Sequence, residues 1–347
     1  MNLLFVIQGE GRGHFTQAIT LYQKLKQQGH TIDKILIGKS KFRPLPDFVK
    51  KTFGDKIILF DSPNFLPSKR KTHIIKSILY NLIVNRRYWN AVKKIKKEIE
   101  NTDIDKVINF YEPLAGLAYK KYNIDIPMIC IAHQYTFLHP DYQFPKRFFL
   151  RKIMLKKLTR ITCQQAKMCI GLSLSKMNDI PQQNLYIAPP LIRSAILNAS
   201  SQNGDYIHGY FLNDGFLQDI EKQNFNTNIQ LFIGKNIKNK NPKITIYPID
   251  EQDFIKSFVT CKAFLCTAGF ESIAEAMWLH KPTMVVAVNF EQKCNAFEAF
   301  VNQAAIYRKH FDIQQLLNFA NHYQPNNKFC NWVSQESDKI VHLIESC

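Results

Sequence analysis

Short apolar, β-branched runs recur along the chain at Leu3 to Ile7, Lys34 to Ile37, Lys56 to Phe60, Lys106 to Phe110, Pro127 to Ala132, Met168 to Leu172 and Leu185 to Ile187. Stretches of helical character separate most of them. Parallel neighbours need a long crossover, usually a helix, so this alternation predicts βαβ units and a parallel sheet covered on both faces. A second series follows at Tyr206 to Gly209, Ile229 to Ile233, Lys243 to Tyr247, Lys262 to Cys266 and Thr283 to Val288. Between the two series, Pro189 and Pro190 lead into a polar stretch ending SSQNGD (200–205), the composition of an interdomain linker. The pattern predicts an α/β fold of two doubly wound domains facing across a cleft. The expected division is 1–192, 205–325 and a terminal helix in 326–347 that packs back on the first domain.

Composition agrees with two cores. At 347 residues the chain exceeds one typical domain, and 46% hydrophobic against 21% charged residues places it among folded chains. No apolar run approaches the roughly 18 to 20 residues that span a bilayer. The opening MNLLFVIQGEGRGH has no basic region before its apolar segment, so a first strand is expected there, not a signal peptide. Eight cysteines form no C-x-x-C pair and no even framework, which predicts neither a zinc site nor a disulfide scaffold and fits a cytoplasmic location. The net charge of +18 is uneven: residues 1–180 hold 32 Lys+Arg against 13 Asp+Glu, residues 181–347 only 14 against 15. That asymmetry predicts an anionic partner for the first half, nucleic acid or an anionic membrane surface.

Open α/β sheets bind ligands beyond the C-terminal ends of their strands, so motifs there are the candidates for chemistry. Asp103-Ile104-Asp105 mimics the D-x-D metal motif of some sugar transferases, but it precedes a strand and so falls at the wrong edge; no metal is expected. The first strand runs into Gly9-Glu10-Gly11-Arg12-Gly13-His14 and then a helix. Such a turn lets backbone N–H groups of Gly11, Arg12 and Gly13 approach an anion at a helix N-terminus. The spacing is not the dinucleotide G-x-G-x-x-G, which disfavours NAD. His14, in the first helical turn, reads either as a terminal cap or as a general base. In the second domain, AGFESIAEAMWLHKP (268–282) follows a strand. Glu271, Ser272 and Glu275 share one side of its helix, which reads either as a solvated face or as a site. As a site, the helix start and Ser272 hold phosphate, and Glu275 accepts from the vicinal hydroxyls of a ribose. Glu275→Ala is then expected to remove nucleotide binding and leave the ligand-free melting point nearly unchanged. A further strand end, VNFEQKCNA (288–296), brings Glu291, Gln292 and Asn295, types suited to sugar hydroxyls.

The run AGFESIAEAMWLHKPTMVVAVNFEQKCNA resembles the donor-binding segment of two-domain (GT-B fold) glycosyltransferases. The likeness is to the group that includes the peptidoglycan N-acetylglucosaminyltransferase, with its G-x-x-[ST]-x-x-E, G-x-P and Q-x-x-N-A pattern, and GEGRGH resembles that group's N-terminal glycine loop. The resemblance implies two Rossmann-like domains. It also implies that Gly269, Phe270 and Ser272 approach the diphosphate, Glu275 binds the ribose, Gln292 and Asn295 with Glu291 contact the donor sugar, and His14 borders the reaction centre. The backbone around Tyr247 to Ile249 would face the base. His280 stands where the group has glycine before Lys281-Pro282, a change a turn should tolerate, and the second glycine-rich loop is represented by HGYFLNDG (208–215). Candidates for the base that deprotonates the acceptor are His14, Glu112 in NFYEPLAG and His133 in IAHQYTF, with His14 ranked first. Glu112 fits a helix cap equally well, and His133 a satisfied loop histidine.

In the basic half, KRKTHIIKSILYNLIVNRRYW (69–89) places Ile74, Ile75, Ile78, Leu79, Leu82 and Ile83 on one helical face with cations at both ends, which suits a membrane surface or an ordinary core helix. The run FPKRFFLRKIMLKKLTR (144–160) has seven cations and no anion, and its charges do not segregate on a helical wheel; it reads as a basic surface element, not an amphipathic anchor. A nucleic-acid module would show a fold signature and aromatic platforms, both missing, so a membrane acceptor is preferred. Together these readings predict a cytoplasmic, peripheral-membrane hexosyltransferase without a cofactor. It would move a sugar from a nucleotide-diphosphate donor, UDP-linked, to a hydroxyl of a lipid-linked or cell-envelope glycan acceptor, with inversion implied by the resemblance. The rivals are a sugar-nucleotide 2-epimerase, a non-catalytic sugar-nucleotide-binding protein and a basic nucleic-acid-binding protein.

Overall fold

The computed structural model describes residues 1–39, 44–63, 85–212, 214–234, 237 and 239–347. The helical stripe from Ile74 to Ile83 and the cations at 69–71 lie outside the described residues, as does Asn213 of the 208–215 loop. The first sheet contains β1 (Asn2–Gln8), β2 (Thr31–Lys39), β3 (Ile57–Asp61), β4 (Lys106–Phe110), β5 (Met128–Ala132), β6 (Met168–Leu172) and β7 (Leu185–Ala188), ordered β3-β2-β1-β4-β5-β6-β7. Every pairing is parallel. The second sheet contains β8 (Tyr206–Phe211), β9 (Asn228–Ile233), β10 (Ile244–Tyr247), β11 (Ala263–Thr267), β12 (Thr283–Val286) and β13 (Ala305–Arg308), again all parallel in the order β10-β9-β8-β11-β12-β13. All twelve apolar runs are strands, and β13 is an additional edge strand that the sequence pattern missed.

Helices cover both faces: α1 (Arg12–Gln27), α2 (Asp47–Phe53), α3 (Asn85–Glu100), α4 (Pro113–Tyr122), α5 (Phe149–Thr162) and α6 (Ser194–Leu197) from the first half of the chain. From the second half come α7 (Leu217–Glu221), α8 (Glu251–Thr260), α9 (Phe270–Trp278), α10 (Phe290–Val301), α11 (Ile313–His322), α12 (Asn327–Gln335) and α13 (Lys339–Ser346). Strands β4, β5 and β6 are buried at every residue, as strands sandwiched between helix layers must be. Helix α4 lies so close to α5 that a Cβ on Gly116 would come within 2.1 Å of the Ile161 carbonyl oxygen, so only glycine fits there.

The last two helices separate. Phe329 and Val333 of α12 and Ile340, Val341 and Ile344 of α13 all join the main apolar core. Helix α13 returns to the first sheet: the Lys106 ammonium at the start of β4 donates to the Ile344 carbonyl at 2.6 Å, and Lys24 of α1 pairs with Asp338 at 3.1 Å. The linker is fixed from the other side by Lys281, fully buried, which donates to the carbonyls of Gln202 and Cys261 at 2.5 and 2.8 Å. At the strand-start edge, the Asp105 carboxylate accepts from the Asn2 backbone N–H at 2.7 Å, far from the loops that follow the strands.

Candidate active site

Strand order reverses between β1 and β4 in the first sheet and between β8 and β11 in the second, the positions at which open α/β sheets bind ligands. In the first sheet the loops leaving these strands carry Gly9 to His14 and Tyr111-Glu112. Helix α1 is preceded by Gly11 at its N-cap, with no side-chain cap for its first N–H groups, and a Cβ on Gly11 would meet nothing within 4 Å. Arg12 lies over the Phe48 ring at 5.1 Å. The His14 ring stacks on Tyr111, centroids 5.7 Å apart and planes 21° from parallel. Its Nδ1 is buried without a hydrogen-bond partner, and burial pushes the imidazole pKa down to about 4, leaving it neutral at physiological pH. Tyr111 holds a left-handed φ of 60°, a strained conformation for an aromatic residue, and its hydroxyl pairs with that of Thr159 of α5 at 2.9 Å.

Glu112 is fully buried and caps α4: its carboxylate accepts from the Leu114 N–H at 3.0 Å and from the Ser62 hydroxyl at 2.9 Å. Burial pushes its pKa up to about 8. The carboxylate needs the bare backbone of Gly38, where a Cβ would sit 2.2 Å from Oε2. His133, just beyond β5, bonds through Nδ1 to the Leu172 carbonyl at 2.8 Å and stacks its ring on Phe270 of the second domain, 4.0 Å between centroids. Burial lowers its pKa to about 4 as well. The ring is only half satisfied: Nε2 is buried without a hydrogen-bond partner, 3.8 Å from the Glu298 carboxylate.

In the second domain, α9 is preceded by Gly269, again with no side-chain cap, and Ser272 stands half-buried in its first turn beside the buried Phe270 and Glu271. The solvated-face reading of this helix is wrong: Glu271 and Glu275 are both buried. Glu271 reaches across to the first domain and accepts from the Gln17 amide of α1 at 2.6 Å, and burial raises its pKa to about 8. Glu275, 3% exposed, is gripped by the guanidinium of Arg193 through two parallel bonds of 2.7 and 2.8 Å. The same arginine touches Glu251 at 3.3 Å. Removing Glu275 would strand a largely buried guanidinium, so an unchanged melting point for Glu275→Ala does not follow from this structure. Tyr210, near the end of β8, is half-buried and close enough to Arg12 and Arg193 to feel both charges, although desolvation dominates and raises its pKa.

Helix α10 is capped by Asn289, which accepts from the Gln292 N–H at 2.8 Å. Gln292 turns its own carbonyl to the Val288 N–H at 3.1 Å. Glu291 accepts from Gln134 of the first domain at 3.0 Å, and Asn295 donates to the Ala268 carbonyl at 3.0 Å while its own buried carbonyl oxygen lacks a partner. Tyr247 ends β10 and Ile249 follows it, with Tyr247 stacked on Phe232 at 5.2 Å. Phe270 is engaged by His133, so only its backbone remains for a phosphate.

Most residues singled out in the sequence thus border one interdomain seam. Six that complete it were not: Gln17, Tyr111, Gln134, Arg193, Tyr210 and Glu298, the last accepting from the Leu174 N–H at 2.9 Å and the Ser173 hydroxyl at 3.2 Å. Arg193 carried a weak signal as the cation directly after PPLI at the linker; the others look like ordinary helix and strand positions. Among the described residues, no group of three or more His, Cys, Asp or Glu is arranged to hold a metal ion.

A family model described as glycosyl transferase family 1 matches residues 1–322. No curated protein matches the chain by sequence. Among solved structures the chain is similar to the glycotransferase of kitacinnamycin, with 13% identity and a TM-score of 0.67 over 99% of this chain and 98% of that one. It is also similar to UGT2 of Phytolacca americana complexed with UDP-2-fluoro-glucose and pterostilbene (11%, TM-score 0.60, 97% and 94% covered). A third is MurG of Acinetobacter baumannii (14%, TM-score 0.57, 100% of both chains). At such identities the structural likeness establishes the two-domain GT-B fold, and the family match, extending from the first strand through α11, establishes the rest: the chain belongs to glycosyl transferase family 1 and is a nucleotide-sugar-dependent glycosyltransferase.

Proposed function

We propose that the enzyme transfers a sugar from a UDP-linked donor to a hydroxyl of a lipid-linked or cell-envelope glycan acceptor, with inversion, at the cytoplasmic face of a membrane. The observation that carries the donor half is the meeting of two uncapped, glycine-opened helix starts, α1 and α9, at the two strand-order reversals, with Glu275 one turn inside. Two such N-termini supply free N–H donors and partial positive charge, enough to hold a diphosphate and stabilise its leaving charge without a metal. In this reading the N–H of Phe270 and the Ser272 hydroxyl bind the diphosphate from one side, beside Gly269, whose own N–H donates to the Thr267 carbonyl at 2.5 Å, and the N–H groups at Gly11, Arg12 and Gly13 bind it from the other. Glu275 takes the ribose hydroxyls, for which Arg193 must yield at least one of its bonds. Glu291, Gln292 and Asn295 bind the sugar, and the backbone from Tyr247 to Ile249 faces the base.

The acceptor oxygen attacks the anomeric carbon, its proton passes to His14, and the sugar–phosphate bond breaks with its electron pair leaving on UDP. His14 suits the base because its imidazole is neutral with an unpartnered nitrogen, and a bound diphosphate would raise its proton affinity. The acceptor half rests on the +19 balance of residues 1–180. UDP in the Phytolacca complex supports the choice of base. The test is a melting-temperature series with UDP-, GDP- and TDP-sugars. The correct donor at about 100 times its Kd adds about 2.7 kcal/mol, and UDP release should require an acceptor. Conversion of free UDP-sugar to an epimer without acceptor would replace transfer by epimerisation, and no shift with any nucleotide sugar would remove the donor site.

A further inference from the structure

Five of the ten large apolar side chains exposed among the described residues stand on one helix, α5: Phe149 (73% exposed), Leu150 (79%), Ile153, Met154 and Leu158. They form two adjacent rows, Phe149 and Ile153 in one, Leu150, Met154 and Leu158 in the other, as i, i+4 spacing requires. Exposed cations flank them: Lys146, Arg147, Arg151, Lys157 and Arg160, none in an ion pair among the described residues. The helix starts without a side-chain cap or any acid in its first turn. The reading of 144–160 as a basic surface element whose charges do not segregate is extended by these five outward apolar side chains. Lys152 and Lys156 lie over the Phe144 ring, at 4.7 and 5.5 Å, on the packed side, and Lys157 and Arg160 stand among the outward positions. The outward arc carries the five apolar side chains, with Arg151 at its edge and Lys157 and Arg160 interleaved toward its C-terminal end.

The opposite side of α5 is built into the seam. Thr159 holds the Tyr111 hydroxyl, and Leu155 with Phe144 and Phe148 packs on a cluster containing Phe137, Tyr142, Phe290 and Cys294. Phe290 and Cys294 belong to α10, which carries Glu291 and Asn295. We propose that α5 is the face on which this enzyme docks to an anionic lipid bilayer. Phe149 and Leu150 enter the acyl boundary and the cations meet the phosphates, so that the cleft mouth opens at the membrane surface. The charge argues for this occupant: seven cations without an anion over 144–160 repel a second copy of the same face and attract acidic headgroups. The proposal rests on the membrane-borne acceptor for its purpose, not for its test.

The experiment is flotation of the full-length protein with vesicles of phosphatidylcholine alone or mixed equally with phosphatidylglycerol, without substrate. Wild type should partition at least about tenfold better into the mixed vesicles and lose that preference at high salt. Phe149→Ser with Leu150→Ser should lower partitioning by about tenfold or more, and Arg147→Glu with Arg151→Glu should abolish the preference for acidic lipid. Both variants should keep the wild-type melting point and nucleotide-sugar shift, which separates failure here from failure of the donor site. Equal partitioning of wild type into both vesicles, undiminished binding of the apolar variant, or a dimer in solution that Phe149→Ser dissociates without vesicle binding would each overturn the proposal.

Discussion

Glu275 is held by two parallel bonds from Arg193, and a substitution there acts on folding as well as on binding. Glu275→Ala should lower ligand-free stability by about 3 kcal/mol, because the guanidinium keeps only Glu251 as partner. Glu275→Gln should cost roughly half as much, yet also lose the nucleotide-induced shift, since an amide nitrogen cannot accept from a ribose hydroxyl; melting curves with and without donor read both effects. The base is separable by pH. The kcat/KM profile reports ionisations of the free enzyme, so His14 as base gives an acidic limb near pH 4, whereas Glu112 would place it near pH 8. His14→Ala should lower kcat by roughly 100- to 10,000-fold with little loss of stability. His14 and Glu112 were legible because each follows a strand at a glycine or proline signal. Arg193 was not, because its meaning lies in a partner 82 positions away that no local pattern encodes.

At the scale of elements, sequence periodicity located twelve of thirteen strands. The missing one, β13, is a four-residue edge strand whose alternation, one buried residue followed by three more exposed, is too short to register. The turn after α9 was read as tolerant of histidine. His280 there has a φ of 55°, the left-handed region where glycine is free and a branched or ringed side chain is strained. His280→Gly should therefore leave stability unchanged or raise it by up to about 1 kcal/mol, as measured by urea denaturation; a loss above that size would mean the ring's contact with Cys330 outweighs the strain. On helix α5 the wheel shows mixed charge, and what it does not show is which positions stay open to solvent: Lys152 and Lys156 lie over Phe144, while five apolar side chains remain exposed beside Arg151, Lys157 and Arg160.

Across the whole molecule, the seam between the sheets is held by groups whose charge burial suppresses. Glu271 and Glu298 rise from 4.5 to about 8 and about 7, so their contribution is complete below pH 4.5 and drains away as pH climbs to those values. His14 and His133 fall from 6.5 to about 4, so theirs is complete above pH 6.5 and drains away as pH drops to 4. Stability should therefore decline from pH 6.5 to 8, and Glu271→Gln should flatten that decline, by at most about 1.4 kcal/mol per pH unit, in denaturant titrations across the range.

The polypeptide passes between the two sheets twice, once through the linker pinned by Lys281 and once between α12 and α13, where Lys24 holds Asp338. Two crossings hold the halves together more firmly than a single linker would, because parting them at either one breaks a lysine anchor as well.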